Sequence, residues 1–163
     1  MKQTYRIISK ICAWTLFAMT LLGALNAILR YSSKFTGQVW SSNAFLEGQW
    51  YLFSTVFLLG AGYTLYKDKH VRVDVLYSRF TPTRQKWIDL IGTVFFAIPF
   101  CVLGLWSSWD FVVNSWTISE MSPDAGGLPR YPVKTLIPIG FGLLLVQCVL
   151  WSIGLLSKES RDA

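Results

Sequence analysis

Long apolar runs alternate with short polar segments along this chain. Ile11–Leu29, Phe45–Tyr66, Ile88–Val113 and Val133–Leu156 are each long enough to cross a hydrocarbon core of roughly 30 Å at ~1.5 Å per residue. The polar residues inside the runs are few, and in the first run they recur at three- and four-residue spacing, the period of a helix face. The pattern predicts one all-α integral membrane domain over residues 1–163, a four-helix transmembrane bundle. Little soluble protein remains once these spans are assigned.

Composition points the same way. Mean hydropathy is +0.42, 53% of residues are hydrophobic, and 15% charged residues is less than a soluble domain of this size needs. The net charge of +6 raises the question of a nucleic-acid partner. The basic residues, however, sit in the short segments between spans, where they act as topology determinants. Lys2, Arg6 and Lys10 precede the first span, Lys67, Lys69, Arg72, Arg79, Arg84 and Lys86 separate the second from the third, and Lys158 and Arg161 follow the fourth. The other two loops hold only Arg30 with Lys34, and Arg130 with Lys134. Basic residues resist translocation, which places both termini and the middle loop in the cytoplasm, and the loops Tyr31–Ala44 and Asn114–Pro132 outside. Trp40, Trp50, Trp87, Trp106, Trp109, Trp116 and Trp151 fall near span ends, the headgroup level that indoles favour. The first run exceeds the 7–15 residues of a signal-peptide core, so it is expected to remain as a helix. Cys12, Cys101 and Cys148 lie one each in three spans without C-x-x-C spacing, and serve as small apolar side chains.

The polar exceptions mark helix contacts. Thr20, Gly23, Asn26, Ala27 and Arg30 share a face of the first helix, a seam of small and polar residues that admits a neighbour. Glu47, just after Ser41-Ser42-Asn43, stands in the favourable first turns of the second helix, and is expected to pair with Arg30. Thr81-Pro82 opens the third helix. Its stripe Asp89, Thr93, Ala97, Cys101, Gly104 and Ser108 is a second seam, and Pro99 should bend it. Gly140, Gln147 and Gly154 give the fourth helix a packing pattern.

The middle loop alternates charged and apolar residues from His70 to Val75. Arg72 and Asp74 share one side if it is extended, and the segment suits an amphipathic strip on the inner membrane surface, against lipid. No Gly-rich phosphate loop, catalytic set or metal-ligand spacing emerges, and one histidine cannot hold a b-type haem from both sides. The residues predict no enzyme, cofactor or metal. Two rival readings are a small oligomeric exporter with Glu47 binding protons, and a membrane anchor for an oxidoreductase.

In order along the chain come Leu29-Arg30-Tyr31, Glu47-Gly48-Gln49-Trp50-Tyr51-Leu52-Phe53 and Phe57-Leu58-Leu59-Gly60-Ala61-Gly62-Tyr63-Thr64-Leu65. His70-Val71-Arg72-Val73-Asp74-Val75, Ser115-Trp116, Glu120-Met121-Ser122 and Gly126-Gly127-Leu128-Pro129 follow, then Pro132, Lys134 and Gln147. This ordered set resembles the small membrane subunit of tripartite ATP-independent periplasmic (TRAP) transporters, the DctQ-like family. The resemblance implies a bacterial inner-membrane protein beside a large multi-helix (DctM-like) subunit, which carries the substrate and sodium sites. It also implies docking of a periplasmic substrate-binding protein for sodium-coupled uptake of an organic carboxylate. The Trp-Tyr-Leu-Phe and Gly-Gly-Leu-Pro segments are similar to the branch associated with 2-oxo acids. Structural and partner contacts are then expected at Arg30, Glu47, His70, Arg72 and Asp74. Glu120, Asp124 and Arg130 in the outer loop are the expected docking charges.

Overall fold

The computed structural model describes residues 2–37, 42–70 and 77–162. The described residues are almost wholly helical and contain no strand beyond one isolated bridge. The helices are α1 (Lys2–Thr36), α2 (Asn43–Tyr66), α3 (Pro82–Gly92), α4 (Ile98–Thr117), α5 (Tyr131–Lys134) and α6 (Leu136–Asp162), with a π-helical turn, Thr93–Ala97, joining α3 to α4. In the bundle, α2 lies between α1 and α6, and α4 packs on the other side of α6.

Three stretches among the described residues are long and apolar enough to cross a membrane: Gln3–Thr36, Pro82–Thr117 and Tyr131–Ser157. The expected second span coincides with α2, whose 24 residues reach ~36 Å. Glu47, Gln49, Tyr63 and Thr64 keep any long window of it less apolar than the best windows of those three stretches. Its neighbours α1 and α6 cover most of it, so it need not be apolar all round. Its exposed large side chains, Leu46, Trp50, Phe53 and Phe57, form one stripe.

The surface is that of a protein solvated by lipid. Trp106, Phe96 and Trp14 are 79%, 73% and 71% exposed, whereas Asn26, Glu47, Ser108, Ser115, Gln147 and Ser152 are buried. Helices in hydrocarbon gain nothing from burying leucine against leucine, so small and polar residues make the contacts. Hydroxyls within the helices are satisfied locally: Thr20 donates to the Leu16 carbonyl at 2.9 Å and Ser152 to that of Cys148 at 2.9 Å. The chain is thus an all-α membrane protein.

The small-residue seam of α4 forms as the pattern predicts. Thr93, Cys101 and Ser108 are buried, and a Cβ added to Gly104 would lie 2.6 Å from the Phe141 ring of α6. Cys101 and Cys148 are free, and their thiols face each other across the same seam. Gly140 lets α6 approach the backbone of Leu58, and Gly62 lets α2 approach that of Leu143.

The seam of α1 is rotated from its expected position. Gly23 and Asn26 do face α2, but Thr20, Ala27 and Arg30 are exposed. The partly covered face runs through Cys12, Thr15, Met19, Leu22, Asn26, Leu29 and Ser33. Thr20 is free to face outward because its hydroxyl already bonds its own helix.

Pro82 opens α3 as expected, although the Thr81 hydroxyl forms no cap. Near Pro99 the helix responds with the π-helical turn, in which the Ile98 N–H reaches the Thr93 carbonyl. Proline has no N–H and its ring crowds the carbonyl four residues back, here Phe95, so a wider turn just before it relieves the clash.

Candidate functional site

The loop between α4 and α5 is folded down onto the end of α2 and held there by two carboxylates. It begins where α4 stops. Ser119 takes a left-handed conformation (φ 48°), its N–H bonds the Trp116 carbonyl at 3.2 Å, and the Glu120 N–H bonds that of Ser115 at 3.0 Å. This pair of bonds closes the helix end in a Schellman arrangement. The chain then doubles back. Met121 bridges Pro129 in antiparallel fashion, Arg130 N–H donates to the Glu120 carbonyl at 2.8 Å, and Ser122 N–H to that of Leu128 at 3.2 Å. Gly126 (φ 72°) supplies the left-handed turn at the tip.

Glu47 anchors this hairpin to α2. The Ser122 hydroxyl donates to its Oε1, and the Leu128 N–H donates to its Oε2 at 2.5 Å. The side chain is 3% exposed, and the Arg130 charge acts on it. Gly127 permits the approach, since a Cβ there would sit 2.5 Å from the Ser122 Cβ and 2.9 Å from Glu47 Oε2. Further ties come from the same end of α2. Asn43 Nδ2 donates to the Ala125 carbonyl at 3.1 Å, and the Tyr51 hydroxyl to that of Pro129 at 3.1 Å. Ser42 caps the helix by accepting from the Ala44 N–H at 3.2 Å.

Glu120 ties the first strand of the hairpin to α4 and α5. It accepts from the Lys134 ammonium and, at 2.7 Å, from the Ser115 hydroxyl. The Lys134 bond first, then that of Ser115, holds its carboxyl below the usual carboxylate range. Lys134 also lies 3.9 Å from the centre of the Phe111 ring, a cation–π contact. The Trp116 indole N–H donates to the Thr135 hydroxyl at 2.8 Å, and its ring packs edge-on to Tyr131.

The expected pairing of Arg30 with Glu47 is replaced by this arrangement. Gly23 lies against Gln49 and Leu22 against Gly48, which sets Glu47 level with residues 24–25 of α1. Arg30 is therefore ~7–9 Å further along the helix at 1.5 Å per residue, and it is exposed. The cation acting on Glu47 is Arg130, from the loop.

The three expected docking charges divide. Asp124 is exposed at the tip, Glu120 is committed to Lys134, and Arg130 is half-buried with its charge acting on both Glu47 and Glu120. Its Nε is buried without a hydrogen-bond partner. His70 is exposed and borders a cavity of about 550 Å³, with Asp89 and Tyr77, at the opposite end of the bundle. The Tyr77 hydroxyl donates to Asp89 there at 2.8 Å. Arg72 and Asp74 lie outside the described residues. Among the described residues no three His, Cys, Asp or Glu side chains gather to hold a metal ion. The roles of Ser115, Ser122, Gly127 and the Leu128 N–H were not read from the sequence. The signal was a carboxylate near a helix start with a Ser-Pro-Asp-x-Gly-Gly turn elsewhere to receive it.

Residues 19–157 match the family described as "Tripartite ATP-independent periplasmic transporters, DctQ component". The chain is also 31% identical, over 153 residues, to the C4-dicarboxylate TRAP transporter small permease protein DctQ of Vibrio cholerae serotype O1 (strain ATCC 39315 / El Tor Inaba N16961). That match covers 81% of this chain and 63% of the relative's length. The chain therefore belongs to the DctQ family of tripartite ATP-independent periplasmic transporter components, a family of transport proteins and not of enzymes.

Proposed function

We propose that this chain is the small permease subunit of a TRAP-type secondary transporter of the bacterial inner membrane. It holds a large multi-helix subunit in the bilayer and presents the 118–130 hairpin to a periplasmic substrate-binding protein. The transported solute is an organic carboxylate, in keeping with the C4-dicarboxylate named for the Vibrio relative, and sodium coupling resides on the large subunit. The positive-inside bias supports both termini in the cytoplasm and the hairpin outside.

The observation that carries the docking role is the internal commitment of Glu47 and Glu120. A plain connector between two helices needs no buried carboxylate on a third element to fix its shape. Holding the hairpin in one conformation lowers the ordering cost of each encounter with a soluble partner. Docking must be transient for turnover, so the exposed tip charge should act on association rate and its salt dependence. Uptake measured against binding-protein concentration tests this. Asp124→Lys should raise the concentration needed for half-maximal uptake at low salt, with the membrane complex intact. Unaltered uptake across that range would remove the tip from the docking surface.

A further inference from the structure

At the opposite end of the bundle, a cavity of about 920 Å³ opens between the first turns of α1 and the last turn of α2. We propose that it binds the phosphodiester headgroup of an anionic phospholipid. Arg6, Lys10 and Lys67 line it together with Gln3 and Ser9, and among the described residues no carboxylate does. Gln3, Arg6 and Lys10 fall on one face of α1 by their spacing. Lys67 reaches in from the end of α2, its ammonium 5.6 Å from the centre of the Tyr66 ring and 6.0 Å from that of Tyr63. None of the three cations has an ion-pair partner among the described residues.

The cavity is built and not an accident of loose ends. Tyr5 is buried, stacks on Tyr66 with ring centres 4.4 Å apart and planes within 13°, and donates its hydroxyl to Gln147 of α6. That contact locks the start of α1 to the end of α2 and to the bundle, which fixes the spacing of the three cations.

Two observations select a lipid over a free anion. The cavity sits at the ends of helices that cross the membrane, on the side where basic residues concentrate. Its wall also includes Ile7, which is 53% exposed, and Ile11 and Trp14 continue from it at helical spacing down the exposed face of α1. A ligand with an anionic head and apolar chains satisfies both the cations and this strip, whereas free phosphate uses only the cations. Basic pockets between membrane helices near the surface suit such headgroups.

Native mass spectrometry of the full chain in neutral detergent tests the site. Phosphatidylglycerol and phosphatidylcholine of identical chains serve as probes. The unaltered chain should retain phosphatidylglycerol preferentially, with retention falling as salt rises. The variant R6Q/K10Q/K67Q should lose about tenfold or more in that retention. The charge-matched variant R79Q/R84Q/K34Q should keep it, and helicity by circular dichroism should be the same in all three. Glycerol 3-phosphate in excess should not displace the lipid. Equal retention of the two lipids by the unaltered chain, or undiminished retention by the first variant, would overturn the proposal. Displacement by glycerol 3-phosphate would assign the cations to a soluble phosphate and overturn the lipid. If the first variant does not fold, the lipid preference and salt dependence of the unaltered chain decide.

Discussion

Glu47 shows how one carboxylate can define a surface on the other side of a loop. Its two oxygens accept from different strands of the hairpin, so neither oxygen is dispensable. In Glu47→Ala both acceptors are lost, which leaves the Leu128 N–H and the Ser122 hydroxyl without their partner on α2. We expect hydrogen exchange at 121–129 to accelerate while exchange in α2 stays slow; unchanged protection in the hairpin would contradict the anchoring role. Gly127→Ala should loosen the same segment for a steric reason, because its Cβ has no room between Ser122 and Glu47. Glu120 adds a pH dependence whose sign follows from its environment. Its folded carboxyl titrates below the ordinary 4.5, so its contribution is fully present above that value and is lost as pH falls through the depressed one. Trp116 fluorescence, reporting the packing beside Lys134 and Thr135, should change over that acid range, and Glu120→Gln should remove the transition. Sequence alone gave Glu47 a reason to sit at a helix start but not its partners. Those depend on where a loop more than seventy residues away lands, and no local periodicity encodes that.

At the scale of helices, more was legible. Helix positions followed from apolar run length, and the α4 seam from its stripe of small residues, since close backbone approach requires them wherever hydrocarbon is the solvent. The α1 seam was harder, because hydroxyls bonded within their own helix look from sequence like groups in need of a partner. The helix ends were also longer than the apolar runs. Polar residues at 2–10 and 30–36 continue α1 beyond the hydrocarbon, where composition no longer distinguishes helix from loop. Gly140 tests the packing account. A Cβ there would meet the Leu58 Cβ at 2.8 Å and its carbonyl oxygen at 3.1 Å, so backbone and not merely a flexible side chain must shift. Gly140→Ala should destabilise the bundle by about 1–3 kcal/mol in detergent unfolding, the usual cost of overpacking. Gly142→Ala, with nothing within 4 Å of the added Cβ, is the control and should be near neutral. Equal stability of the two variants would mean that α2 and α6 do not approach through Gly140.

The described residues form a thin row of helices with a large apolar surface and an ordered hairpin at one end. Its orientation can be checked with single cysteines placed after Cys12, Cys101 and Cys148 are removed. A membrane-impermeant thiol reagent added outside should label Ser119→Cys and spare Ser157→Cys, and the reverse pattern would invert every surface assignment made above. In the proposed function this chain works as one subunit of a larger transporter. The most direct measurement is reconstitution of the tagged chain with whatever membrane protein co-purifies with it in fixed stoichiometry. We expect a much larger polytopic partner, and carboxylate uptake into proteoliposomes only when that partner, this chain, a periplasmic binding protein and an inward sodium gradient are all present. Uptake by this chain alone, or its isolation as a homo-oligomer with no large partner, would contradict it.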